Sequence, residues 1–138
     1  MADRPRDVLG QRRRVEIVVP DNPTENMPVI FTFHGLLPPS YDPIDSMVNG
    51  FQLQSEANAR NVIFVVPEAP EVELPLIGTY LLWDFLDGGE DDLVLFDDLR
   101  TCVADQHDVD LSRVHAWGMS GGGLWTSMLA IHRADALA

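Results

Sequence analysis

The chain has 138 residues, of which 46% are hydrophobic, and its formal net charge is −13. This length and this hydrophobic content predict a single globular domain, residues 1–138, that buries a core. The acidic charge, with nine arginines and no lysine, argues against nucleic acid or an anionic membrane surface as a partner. No Cys/His cluster has the spacing of a zinc site, so we predict no metal.

The N-terminal segment Met1–Arg14 is polar and rich in arginine, without the apolar stretch of a signal peptide. No apolar run reaches the length of a transmembrane helix. We therefore predict no membrane partner and a cytoplasmic location by default, or a secreted protein if a signal segment has been removed. The lone Cys102 lies in an apolar helical pattern, which predicts a buried thiol and excludes an intrachain disulfide.

Strand-like and helix-like segments alternate along the chain, a pattern that predicts an α/β fold with a mostly parallel sheet and crossover helices. The predicted strands are Arg13–Pro20, Pro28–Phe33, Asn61–Val66 and Arg113–Gly118. The predicted helices run from Asp45 or Ser46 to Ala59, from Glu90 to Gln106, and onward from about Gly121. The stretch Glu68–Gly89, rich in proline and glycine, is predicted as a long loop that carries Trp83.

The periodicity of each helix predicts which side chains share one face. These are Phe51, Ser55 and Ala59 in the first helix; Leu95, Leu99 and Cys102, with Phe96 and Val103, in the second; and Leu124, Met128 and Ile131 in the third. Asp91, Asp92, Asp97 and Asp98 are predicted to form a solvated acidic face.

The segment Gly118-Met119-Ser120-Gly121-Gly122 has the pattern G-x-S-x-G between a strand-like run and a helix-like run. A nucleophile elbow needs this order, because its serine occupies a strained turn between strand and helix and glycines allow the two backbones to approach closely. We therefore predict that Ser120 is a nucleophile on a tight turn, with Val114–Trp117 as an interior-type strand. The helix start behind Ser120 would direct the Gly121 N–H at an oxyanion.

A second oxyanion donor is predicted in the loop after the Pro28–Phe33 strand. His34-Gly35-Leu36 follows this strand directly, and the Leu36 N–H has the expected position. The alternative is an ordinary turn at the end of a strand, in which His34 forms a local hydrogen bond.

No histidine is well placed to act as the base for Ser120. His115 lies within the preceding strand, His107 lies at the far end of the preceding helix, and His132 lies twelve residues beyond Ser120, about 18 Å along a helix.

The region from Pro28 to Met128 resembles the α/β-hydrolase superfamily, and within it the esterases similar to polyhydroxybutyrate depolymerases and feruloyl esterases. The segments that carry the resemblance are Val29–Gly35, Phe51–Ala69, Asp91–Arg100 and Asp108–Gly123. The resemblance implies a serine hydrolase of small or polymeric carboxylic esters that uses no cofactor. It implies Ser120 as nucleophile and the Leu36 and Gly121 N–H groups as oxyanion donors, with His34, Gly35, Gly118 and Gly122 supporting the motifs.

The superfamily places its catalytic acid and histidine after the serine, but only eighteen residues follow Ser120. We therefore expect a domain truncated after the elbow helix, an impaired esterase, and self-association through an exposed sheet edge. Two other interpretations remain: a catalytically silent hydrolase fragment, or a nucleotide-binding βα module built on the turn at Gly118–Gly123.

Overall fold

The computed structural model describes residues 6–8, 11–86 and 88–138, with side chains from Arg13 onward. Two short strands, Arg6–Val8 (β1) and Gln11–Arg13 (β2), pair in antiparallel fashion at the start of the chain. They are followed by Val15–Val18 (β3) and Met27–Phe33 (β4). The helices Pro43–Gly50 (α1) and Leu53–Arg60 (α2) then lead to Ile63–Pro67 (β5).

The second half of the chain begins with a β-hairpin, Glu71–Leu74 (β6) and Gly78–Leu81 (β7). The helix Glu90–Gln106 (α3), the strand Val109–Gly118 (β8) and the helix Gly121–His132 (α4) follow, and a short 3-10 turn covers Ala134–Ala136. No helix within the described residues is both long enough and apolar enough to cross a bilayer.

The central sheet has the strand order β3-β5-β4-β8. β5, β4 and β8 are parallel, whereas β3 is antiparallel to β5. The predicted α/β class with a mostly parallel sheet is therefore confirmed. Because the carboxyl ends of parallel strands share one edge, the ends of β4 and β8 lie side by side, with Phe33 opposite Gly118.

The sheet buries both of its faces, as expected from the continuous apolar runs of β4 and β5. Phe31, Phe33 and Val65 pack with α3 and α4 on one face, in the cluster that includes Phe96 and Trp125. On the other face, the intervening side chains of β5 pack with α1 and α2.

Several predictions about local structure are wrong. The first predicted helix is two helices, because Gln52 adopts a left-handed conformation with φ 51° and interrupts it. Its buried side chains are Pro43, Ile44, Met47, Leu53 and Ala57, whereas Phe51, Ser55 and Ala59 are exposed. The predicted loop Glu68–Gly89 contains the hairpin β6–β7, which is mostly exposed and so lacks an apolar period.

The stripe predicted along α4 is not the face that the helix buries. Trp125 and Leu129 are buried, while Leu124 and Ile131 are 57% and 74% exposed. A helix that is apolar on all sides gives no periodicity from which to choose its buried face.

The predictions for α3 hold in most respects. Leu95, Phe96, Leu99 and Val103 are buried as expected, but Cys102 is only half-buried.

β8 is the last strand of the described sheet, so Val114–Trp117 is an edge strand and not an interior one. It pairs with β4 on one side. On its other side the N–H of Ala138 donates to Val114 O at 2.8 Å. The edge of β8 is therefore contacted at one point by the segment after α4.

Candidate functional site

Ser120 lies at the junction between β8 and α4, with φ 55° and ψ −117°. Such angles are unfavourable for a residue with a Cβ, and the surrounding structure must hold them. The N–H of Met119 donates to Phe33 O at 3.2 Å, and the N–H of Gly122 donates to Met119 O at 2.9 Å. These contacts hold a tight turn that leaves Ser120 exposed.

Two glycines make this turn possible. A Cβ on Gly118 would lie 2.2 Å from Gly122 C, and a Cβ on Gly122 would lie 2.1 Å from Phe33 O. Side chains cannot occupy such positions, because the neighbouring atoms belong to the backbone. The glycine spacing read from the sequence therefore corresponds to a close approach of β8, α4 and the end of β4.

The segment His34–Leu36 lies beside Ser120. A Cβ on Gly35 would lie 3.4 Å from Ser120 Cβ, and a Cβ on Gly121 would lie 3.5 Å from Leu36 N. The structure thus brings together the residues that the sequence assigned to nucleophile and oxyanion donors, although they are about 85 residues apart in the chain.

The His34 ring is buried and both of its nitrogens are occupied. Nε2 accepts from the Ala69 N–H at 2.9 Å, so the proton is on Nδ1, which donates to Gly35 O at 2.7 Å. Burial lowers the pKa of His34 to about 4; the hydrogen bond to Gly35 O opposes this shift, and the Arg13 charge adds to it. His34 is therefore a neutral structural group, and its ring forms the local hydrogen bond of the alternative interpretation.

This local hydrogen bond has a consequence for the candidate oxyanion donor. In a trans peptide the C=O and the following N–H point in opposite directions. By holding Gly35 O, the His34 ring directs the Leu36 N–H away from itself. The His34 ring thus makes the local hydrogen bond of the alternative interpretation, but its bond with Ala69 is long-range, and together they orient the Leu36 amide.

Among the described side chains, none is hydrogen-bonded to Ser120 Oγ. His115 is exposed on β8, His107 follows the end of α3, and His132 ends α4. The structure thus places these three histidines where the sequence predicted them.

Sequence reasoning missed the residues that support the loop. Asp92, assigned to a solvated acidic face, is fully buried and forms an ion pair with Arg13. Trp83, assigned to a loop, donates from Nε1 to His34 O at 2.9 Å. A single buried carboxylate in a run of acidic residues has no sequence signal that separates it from its neighbours.

Two apolar side chains lie beside Gly121. A Cβ on Gly121 would lie 3.6 Å from Leu82 Cδ1 and 3.9 Å from Phe85 Cε1. Leu82 also lines an adjacent cavity of about 360 Å³, whose lining combines apolar residues such as Trp83 and Val72 with the charged residues Arg13, Glu71, Asp84, Asp91 and Asp92. Apolar groups therefore lie beside Gly121, whereas the adjacent cavity has a mixed apolar and charged lining.

Comparison with known proteins relates the chain to esterases. No protein-family model matches it. It is 30% identical over 120 residues to feruloyl esterase B of Thermothelomyces thermophilus, a match that covers 83% of this chain and 38% of that enzyme.

Solved structures of low sequence identity share the fold. An S-formylglutathione hydrolase from Agrobacterium tumefaciens has a TM-score of 0.75 at 17% identity, covering 99% of this chain and 53% of that one. An acetyl xylan esterase from Aspergillus awamori has a TM-score of 0.68 at 18% identity, covering 91% and 44%. The chain therefore spans about half or less of the length of these proteins. The matches themselves confirm the resemblance to esterases with the α/β-hydrolase fold.

Proposed function

We propose that this chain carries the nucleophile and the oxyanion hole of a serine hydrolase of carboxylic esters. Ser120 is the nucleophile, and the Leu36 and Gly121 N–H groups are the oxyanion donors. The observation that supports this most strongly is the strained backbone of Ser120 in a turn where Leu36 N lies beside Gly121. The esterase names of its relatives support the same class of reaction.

The proposed reaction begins when Ser120 Oγ attacks the ester carbonyl carbon while a base removes the hydroxyl proton. The carbonyl oxygen becomes an oxyanion, which accepts hydrogen bonds from the two backbone N–H groups. The Gly121 N–H is at the start of α4, where the helix dipole also favours negative charge. Collapse of the tetrahedral intermediate expels the alcohol and leaves an acyl-enzyme, which water then hydrolyses to the acid.

The substrate of this reaction is a small or polymeric ester. Leu82 and Phe85, beside the Gly121 amide, would contact an apolar part of that substrate, and the net charge of −13 disfavours strongly anionic substrates.

The base is the component that the described histidines do not supply. We therefore expect the 138-residue chain by itself to be a weak or inactive esterase, because removal of a triad member leaves only about 10³–10⁴-fold catalysis over water.

Hydrolysis of a short-chain p-nitrophenyl ester tests this proposal. The wild type, Ser120→Ala and, as a matched control, Ser127→Ala on the exposed side of α4 are compared. A small rate that is lost in Ser120→Ala and kept in Ser127→Ala supports the nucleophile. Equal rates in all three proteins at background level would support the silent-fragment interpretation, and Ser120-dependent turnover of about 1 s⁻¹ or more would reveal a base from another source.

Titration with labelled ATP or NAD tests the nucleotide-binding interpretation. The esterase proposal predicts no saturable binding of either compound.

A further inference from the structure

A buried ion pair between Arg13 and Asp92 lies behind the segments that hold His34. Arg13 Nη2 donates to Asp92 Oδ1, and the two side chains are 3% and 0% exposed. Replacement of a buried ion pair by apolar residues is often neutral for stability or even stabilising, so a pair of this kind is weak evidence for a stabilising role. Its contacts with neighbouring segments indicate what else it does.

The guanidinium of Arg13 reaches the first of these segments. Arg13 Nε donates to Glu68 O at 3.0 Å, and the next residue, Ala69, donates its N–H to His34 Nε2 at 2.9 Å. Arg13 therefore fixes the backbone that holds the far side of the His34 ring.

The carboxylate of Asp92 reaches the second segment. Asp92 Oδ2 accepts from the Asp84 N–H at 2.7 Å, and the preceding residue, Trp83, donates from its indole to His34 O at 2.9 Å. Arg13 Cζ also lies 5.8 Å from the centroid of the Trp83 ring, within the range of a cation–π contact. The ion pair thus holds the Trp83 indole in the position where it binds the His34 carbonyl.

We infer that Arg13 and Asp92 are positioning residues for the Leu36 N–H, acting through Ala69 and Trp83 on His34. The inference rests on the proposed function, because it assigns the Leu36 N–H to the oxyanion. Neither residue touches the reacting atoms. Their effect is to restrict the His34 ring, which in turn holds Gly35 O and so orients the Leu36 amide.

The double variant Arg13→Met/Asp92→Leu removes both charges together and leaves no unpaired buried ion. Its matched control is Arg133→Met/Asp97→Leu, which removes a two-contact ion pair that joins α3 to the end of α4. Hydrogen exchange of the Trp83 indole N–H and of the Ala69 amide is measured by NMR. We expect protection against exchange to fall by about tenfold or more at both groups in the first variant, while its thermal midpoint is retained. The control should keep the wild-type protection at both groups.

Phenylboronic acid provides a functional readout that does not need turnover. Addition of Ser120 Oγ to boron forms one O–B bond and a tetrahedral anion, and the hydroxyl proton passes to buffer. In the wild type, titration should shift the Leu36 and Gly121 amide signals, and Ser120→Ala should abolish the shift. The double variant Arg13→Met/Asp92→Leu should bind the boronate about tenfold more weakly, since a misdirected oxyanion donor loses part of its effect.

The possible outcomes separate the two proposals. A folded double variant with unchanged exchange and unchanged boronate affinity overturns the positioning role. If exchange at Trp83 and Ala69 is altered in the double variant but the wild type shows no Ser120-dependent boronate signal, the proposed function is overturned. The coupling of the ion pair to His34 then stands. If the double variant does not fold, Trp83→Phe removes the indole donor to His34 O together with part of the ring, and wild-type boronate affinity in that protein also overturns the inference.

Discussion

The buried His34 should make the stability of the protein depend on pH between about pH 6.5 and pH 4, an interval that begins above the range in which carboxylates titrate. Its pKa is lowered to about 4 in the folded chain, against 6.5 for an ordinary histidine, chiefly because burial disfavours the charged ring. As the pH falls, the unfolded chain takes up this proton first. The contribution of His34 is therefore fully present above about pH 6.5 and is lost as the pH falls toward 4.

The size of this loss follows from the two pKa values. Each pH unit between them corresponds to about 1.4 kcal/mol, so the free energy of unfolding should fall by about 2 kcal/mol between pH 7 and pH 5 and by about 3 kcal/mol in total. The pKa values of Asp42 and Asp110 are lowered from 3.8, so protonation of these carboxylates reduces stability only as the pH falls to about 3.8 and below. They do not contribute to the change between pH 7 and pH 5.

Urea unfolding at pH 7 and pH 5 measures the effect. In His34→Gln the loss between the two pH values should be nearly abolished, whatever the variant's stability at pH 7, because an amide does not titrate. His115→Gln, at an exposed position on β8, should keep the wild-type loss. Equal losses in His34→Gln and the wild type would refute the assignment of a neutral, buried imidazole.

Three further predictions concern the turn and the exposed surface. Gly122→Ala should lower the free energy of unfolding by about 3 kcal/mol or prevent folding, because the new Cβ would lie 2.1 Å from Phe33 O. Its control, Gly50→Ala, places a Cβ where nothing lies within 4 Å and should be neutral or slightly stabilising in the same urea assay. Ser120→Gly should raise the thermal midpoint, since relief of the strain at φ 55° is worth about 1 kcal/mol or more; an unchanged midpoint would argue against a strained turn. Self-association, expected from the open edge of β8 and the exposed face of α4, should appear as concentration-dependent sedimentation and weaken in Ile131→Lys, a position that is 74% exposed; a monomer at all concentrations would contradict it.

The strands of the central sheet and the turn at Ser120 were predictable because their signals are local. A buried parallel strand needs a short apolar run, and Met27–Phe33 and Ile63–Pro67 both have one. The turn itself requires glycine at positions 118 and 122, so the G-x-S-x-G spacing could be recognised without knowledge of the neighbouring elements. The helix α3 was equally clear, because its acidic start and apolar period agree.

Only the tertiary structure decided which faces and charges became buried. In α4 apolar residues are spread around the helix, and packing against the sheet selected Trp125 and Leu129 over Leu124 and Ile131. Among the acidic residues at the start of α3, the position of Arg13, 79 residues earlier in the chain, selected Asp92 for burial. A sequence specifies local backbone geometry through its glycines and its apolar period, but the partner of a buried ion or of the His34 ring is set by distant segments that meet only when the chain has folded.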